Sequence, residues 1–130
     1  TRHGAGPLPH ELSKLPYADI KDETNIRNPY QGPLRFAPMD VNFLRNSVHN
    51  DLTDKRSSIA ITHGLAVTCL DQLAGDVTFR ENETLRQCGE DAFLDTLKKR
   101  TDAQFMLTSY GPTRRHVMLA GKIAYGRLAA

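Results

Sequence analysis

The sequence predicts an α/β chain, on three observations. An apolar stripe at helical spacing opens at Asp40, a nearly continuous β-branched run covers residues 59–70, and a second helical pattern over 91–100 is followed at once by the strand-like segment 104–108. Helix and strand alternate, which is the pattern of chains that pack helices on a sheet.

The chain enters through loop. Residues 1–9 read Thr-Arg-His-Gly-Ala-Gly-Pro-Leu-Pro, too rich in glycine and proline for a helix or strand. Residues 10–28 are polar and poorly periodic, with a helical turn expected at 11–15 and Leu12, Leu15 and Ile20 as anchors. Pro29, Gly32 and Pro33 forbid a helix next and stiffen a loop that carries Arg35, while Gly32 permits a close backbone approach. A guanidinium on a rigid loop suits a carboxylate or phosphate.

Asp40 has the chemistry of an N-cap, and Val41, Leu44, Val48 and Leu52 recur at helical spacing as the core face of a helix ending near Lys55. Residues 59–70 read as a strand covered on both faces, interrupted at Gly64 by a bulge or a division into two strands. Asp71 follows its carboxyl end, where open α/β sheets bind ligands, and it also has the chemistry of a cap for the next turn. Residues 75–88 are polar, with a short strand at 77–79. The helix over 91–100 turns Ala92, Phe93, Leu94 and Leu97 inward, and Lys98, Lys99 and Arg100 suit its C-terminal dipole. Residues 109–115 form a turn, 117–119 a last strand and 120–130 a tail with helical character.

At 130 residues the chain forms one unit with a real core, and 39% hydrophobic and 25% charged residues fit a water-exposed globular protein. A net charge of +2 gives no argument for nucleic acid or an anionic membrane, and no apolar run is long enough to span a bilayer. Cys69 and Cys88 form no disulfide framework, so the expected compartment is a reducing cytoplasm. There is no Walker-type phosphate loop, no zinc spacing among the cysteines and histidines, and no nucleophile elbow. Glu90 and Asp91 read as helix-start charges rather than an acid/base pair.

Thr1-Arg2-His3-Gly4-Ala5-Gly6-Pro7-Leu8-Pro9-His10-Glu11 resembles a hallmark segment of the adenylosuccinate synthetases, Thr-Arg-x-Gly-x-Gly-Pro-Phe-Pro-Thr-Glu. Further landmarks recur in the family's order. Gln31-Gly32-Pro33-Leu34-Arg35 followed by Asp40 resembles the aspartate-binding loop. Residues 67–75, Val-Thr-Cys-Leu-Asp-Gln-Leu-Ala-Gly, resemble the Leu-Thr-Lys-Leu-Asp-x-Leu-x-Gly segment that holds the triphosphate's base. Ser109-Tyr110-Gly111-Pro112-Thr113-Arg114 resembles the Ser-x-Gly-Pro-Asp-Arg turn near that same base.

The resemblance spans nearly the whole chain and implies the C-terminal portion of a fold akin to P-loop nucleotide-binding proteins, with residues 1–130 a single segment of it. The family joins L-aspartate to the 6-oxo position of a purine nucleoside monophosphate, driven by a nucleoside triphosphate. Its phosphate loop, catalytic residues and Mg²⁺ ligands belong to an N-terminal portion, so the implied partners are that portion, a second copy in a homodimer, and the substrates. Carried over residue by residue, Gly4 and Gly6 lie near the acceptor purine. Gln31, Gly32 and Arg35 hold aspartate, Asp71 bonds the triphosphate's base, and Ser109, Tyr110 and Gly111 present backbone to that base.

The departures narrow the expectation. Pro33 stands where the family has its first loop arginine, and Cys69 replaces a lysine that packs on guanine. Residues 61–63, Ile-Thr-His, are a rival match to the Leu-Thr-Lys triplet without the following Leu-Asp. His3 and the Gln-Gly-x-Leu-Arg-Phe form resemble the viral, 2-aminodeoxyadenylosuccinate-forming branch, which takes dGMP with ATP or dATP where the ordinary branch takes IMP with GTP. For that branch the compartment is the host cytoplasm. A second expectation from another class is a nucleotide-binding regulatory or defence protein that kept the fold and lost catalysis.

Overall fold

A computed structural model describes residues 6–14, 16, 17, 20, 30, 32–53 and 60–120. In these residues the chain is mixed α/β, with two helices and two three-stranded sheets. The first sheet holds β1 (Met39–Asp40), β3 (Val77–Glu81) and β4 (Thr84–Cys88), with β1 parallel and β4 antiparallel to the central β3. The second holds β2 (Gly64–Val67), β5 (Phe105–Ser109) and β6 (Val117–Ala120), with β2 parallel and β6 antiparallel to the central β5.

Helix α1 (Val41–Thr53) starts where the sequence places it. The Phe43 amide donates to Asp40 Oδ1 at 2.9 Å, so Asp40 satisfies one of the helix's unpaired first-turn donors. Val41 is fully buried, while Leu44, Val48 and Leu52 are half-buried. Helix α2 (Glu90–Thr101) packs against α1 and buries Phe93, Leu94, Leu97 and Thr101. Ala92, expected inward, is exposed because it lies off the stripe these four define. The Thr101 hydroxyl donates to the Leu97 carbonyl at 2.8 Å, which makes its burial tolerable.

One core joins both sheets. Phe79 and Val77 enter it from β3, Met106 from β5, Leu70 from a 3-10 turn after β2, and Val41, Phe93 and Leu97 from the helices. The Phe79 and Phe93 rings lie 5.2 Å apart at a tilt of 48°, an ordinary aromatic pairing. Glu81 is buried within this frame because Arg86 (3.1 Å) and Arg100 (2.6 Å) both reach it.

The expected strand over 59–70 is much shorter: only residues 64–67 are strand, and they are not covered on both faces. Gly64 opens the strand instead of breaking it. A Cβ there would lie 2.4 Å from the Phe105 ring, so glycine lets β2 pair with β5 beneath that ring. Residues 75–88 form a full hairpin where one short strand was expected. Its two-residue turn holds Asn82 at φ 49° and Glu83 at φ 62°, the double left-handed conformation that joins antiparallel strands tightly. Residues 11–14 contain no helical turn, and the tail expectation for 121–130 lies outside the described residues.

Candidate functional site

The chain's first described loop and the loop before α1 are laced together. The Leu12 amide donates to the Phe36 carbonyl at 2.7 Å. Arg35 Nη1 donates to the Gly6 carbonyl at 2.8 Å, and its Nε and Nη2 reach Glu11 Oε1 and Oε2 at 2.7 and 2.5 Å. The guanidinium therefore meets a carboxylate edge-on, the bidentate geometry that arginine is built for. Their contact holds the Glu11 carboxyl below its usual range and raises Arg35, with the mutual hydrogen bond as the main cause in each.

Arg35 thus meets Gly6, and a carboxylate from the chain itself fills the fork. A Cβ at Gly32 would meet nothing within 4 Å among the described residues. Gly4 and Gln31 lie outside the described residues.

The second group gathers at the carboxyl ends of two parallel strands. Val67 pairs with Thr108, so β2 and β5 end side by side. Past β2, Cys69 adopts φ 65° and the chain makes a 3-10 turn over Leu70–Gln72 that packs against β5. Leu70 points into the core, which leaves Asp71 exposed. Asp71 is not the cap that local sequence allows: Cys69 holds that position, and no side chain caps the turn. Among the described residues the Asp71 carboxylate has no hydrogen-bond partner.

Past β5, the turn is fastened at every residue from 109 to 111. The Ser109 hydroxyl donates to the Gly111 carbonyl at 3.0 Å, and the Tyr110 amide donates to the His116 carbonyl at 3.1 Å. The Tyr110 hydroxyl donates to Glu90 Oε1 at the start of α2, a contact that pushes the phenol above its usual range together with burial. Gly111 sits directly under the His116 ring, whose Nδ1 would lie 2.4 Å from any Cβ there. His116 also completes a reciprocal cap with Thr113.

Glu11, Glu90 and His116 are the residues that sequence reasoning did not single out. Glu11 ends the first motif and Glu90 stands in a first helical turn, so each had a local explanation that hid its long-range partner. Nothing in the sequence around His116 marks it.

Among the described residues no three His, Cys, Asp or Glu side chains stand close enough to hold a metal. Cys69 and Cys88 are free thiols, Cys69 exposed and Cys88 partly covered and raised in pKa chiefly by burial. No helix among the described residues is long and apolar enough to cross a membrane. No family model, no curated protein and no solved structure matches the chain.

Proposed function

We propose that the chain is the C-terminal segment of a carbon–nitrogen ligase that joins L-aspartate to the 6-oxo position of a purine nucleotide, dGMP or IMP, using ATP, dATP or GTP. Its part is to hold aspartate and the triphosphate's base, while phosphate handling, catalysis and Mg²⁺ belong to the enzyme's N-terminal portion. The observation that carries this reading is the position of Asp71. Its exposed carboxylate, without a partner among the described residues, stands in the 3-10 turn that follows β2 and packs against β5, the strand that runs into the fastened turn at 109–111. A carboxylate accepts two hydrogen bonds from the N–H edge of a base, and a rigid turn offers backbone groups to the same ring. The adjacency of Arg35 and Gly6 supports an aspartate subsite beside an acceptor nucleotide.

The test is an activity screen of the complete assembly, pairing IMP and dGMP with GTP, ATP and dATP in the presence of L-aspartate. One pairing is expected to turn over, and Asp71→Asn is expected to raise the KM for the triphosphate more than for aspartate. The 130-residue chain alone is expected to be inactive; turnover without a second polypeptide overturns the assignment.

A second reading, a catalytically inert nucleotide-binding protein of the same fold, is favoured by one observation: Glu11 engages the Arg35 fork that aspartate needs. Nucleotide binding with no turnover under any pairing selects it.

A further inference from the structure

A cleft of about 330 Å³ opens on another part of the molecule, lined by none of the residues discussed above as substrate-binding. It lies where the later turns of α1, the chain entering β2 and the end of α2 converge. Four of its side chains are basic: Arg45, His49, His63 and Arg100. They come from three separate segments, so no single helix face explains their meeting.

Arg45 and His49 are four residues apart on α1, and both are exposed. Arg45 makes only a 3.3 Å contact to the neighbouring Asn46 Oδ1, which leaves most of its donors without a partner among the described residues. Arg100 turns its Nε and Nη2 to Glu81, which leaves Nη1 on the opposite edge. Glu81 also carries Arg86, so that trio keeps one net positive charge. Asp102 is the one acidic side chain in the lining, and it is outnumbered.

Two helix C-termini flank the cleft, and exposed carbonyls there would repel an anion. Three carbonyls there accept side-chain hydrogen bonds. His63 Nε2 lies 2.7 Å from the Thr101 carbonyl; a carbonyl only accepts, so Nε2 carries the proton. The Thr53 hydroxyl reaches the His49 and Asn50 carbonyls at 2.9 and 3.2 Å. Basic side chains outnumber acidic ones in the lining four to one. Val48 and Leu52, both half-buried, give it an apolar wall.

We propose that this cleft binds a phosphate monoester, with Arg45 and His49 on the phosphate and the organic group against Val48 and Leu52. The volume is at the small end of ligand sites, roughly 300–1,000 Å³, which suits a phosphate with a compact substituent. The proposal goes beyond the ligase reading and does not depend on it.

The test titrates inorganic phosphate and phenyl phosphate into the purified chain at constant ionic strength, following the His49 and His63 ring resonances by NMR. Saturable shifts at both rings are expected, with phenyl phosphate the tighter ligand. Arg45→Gln and His49→Gln are each expected to weaken binding about tenfold, as loss of one charge-assisted contact does. Both side chains are exposed, so an unchanged amide spectrum verifies the fold of each variant. A response that never saturates, saturation that Arg45→Gln leaves intact, or phenyl phosphate binding no tighter than phosphate overturns the proposal.

Discussion

The Glu11 carboxylate grips the Arg35 guanidinium through both oxygens, while Arg35 also reaches back to the Gly6 carbonyl. One side chain thus ties the chain's first described loop to the loop that precedes α1. The pairing has consequences for acid stability and for substrate binding.

The Glu11 carboxyl titrates below its ordinary 4.5, mainly because Arg35 donates to it. A carboxyl depressed by folding contributes stability above its unfolded pKa and loses that contribution as pH falls through its folded value. The pair therefore holds at neutral pH and releases in acid below 4.5. Glu11→Gln is expected to remove this dependence. The difference in urea midpoint between parent and variant should shrink as pH falls below 4.5.

If Arg35 clamps the substrate's carboxylate, Glu11 competes with it. In the complete assembly, Glu11→Gln is expected to lower the KM for aspartate several-fold and leave the nucleotide KM values unchanged. An increase in aspartate KM would make Arg35 a fastener between two loops instead.

Gly64→Ala is expected to destabilise the chain by about 1–3 kcal/mol, the usual cost of forcing an atom into a packed space. The new methyl would lie 2.4 Å from the Phe105 ring. Urea denaturation measures the loss, and Phe105→Leu in the same chain should recover part of it, because the two sites are in contact.

Glu83 holds φ 62° in the β3–β4 turn, a conformation that costs a side-chain-bearing residue and not glycine. Glu83→Gly is expected to raise stability by roughly 0.5–1 kcal/mol, measured as a shift in Tm. The Arg80 contact to this turn uses the Glu83 backbone carbonyl at 2.8 Å, so the substitution preserves it.

Tyr110→Phe is expected to cost about 1 kcal/mol by removing the hydroxyl's bond to Glu90. The phenol's pKa is raised on folding, so its contribution is complete below pH 10 and is lost as pH climbs through the folded value. A spectrophotometric titration of the chain's four tyrosines should show one late-ionising group, and the variant should lack it.

The helices were legible because their signals are local. Asp40 caps α1 within three residues, and the spacing of Phe93, Leu94 and Leu97 defines the buried face of α2. The strand after β5 followed from sequence in the same way. The β3–β4 hairpin escaped notice because Asn82-Glu83 lacks the glycine that usually marks such a turn, and because β4 is a largely exposed strand with no alternating apolar face. The length of β2 was overestimated because an apolar β-branched run does not reveal how much of it finds a pairing partner.

By itself the sequence determined the α/β character of this chain, the start of each helix and the presence of an arginine on a stiff loop, since caps, periodicity and proline act over a few residues. Only the tertiary structure decided that Arg35 meets Glu11, that Tyr110 meets Glu90, that the turn holding Asp71 packs against β5, and that basic side chains from three segments share one cleft. Those contacts join residues some 20 to 55 positions apart, and their existence depends on how two sheets and two helices close on a common core, which no local pattern encodes.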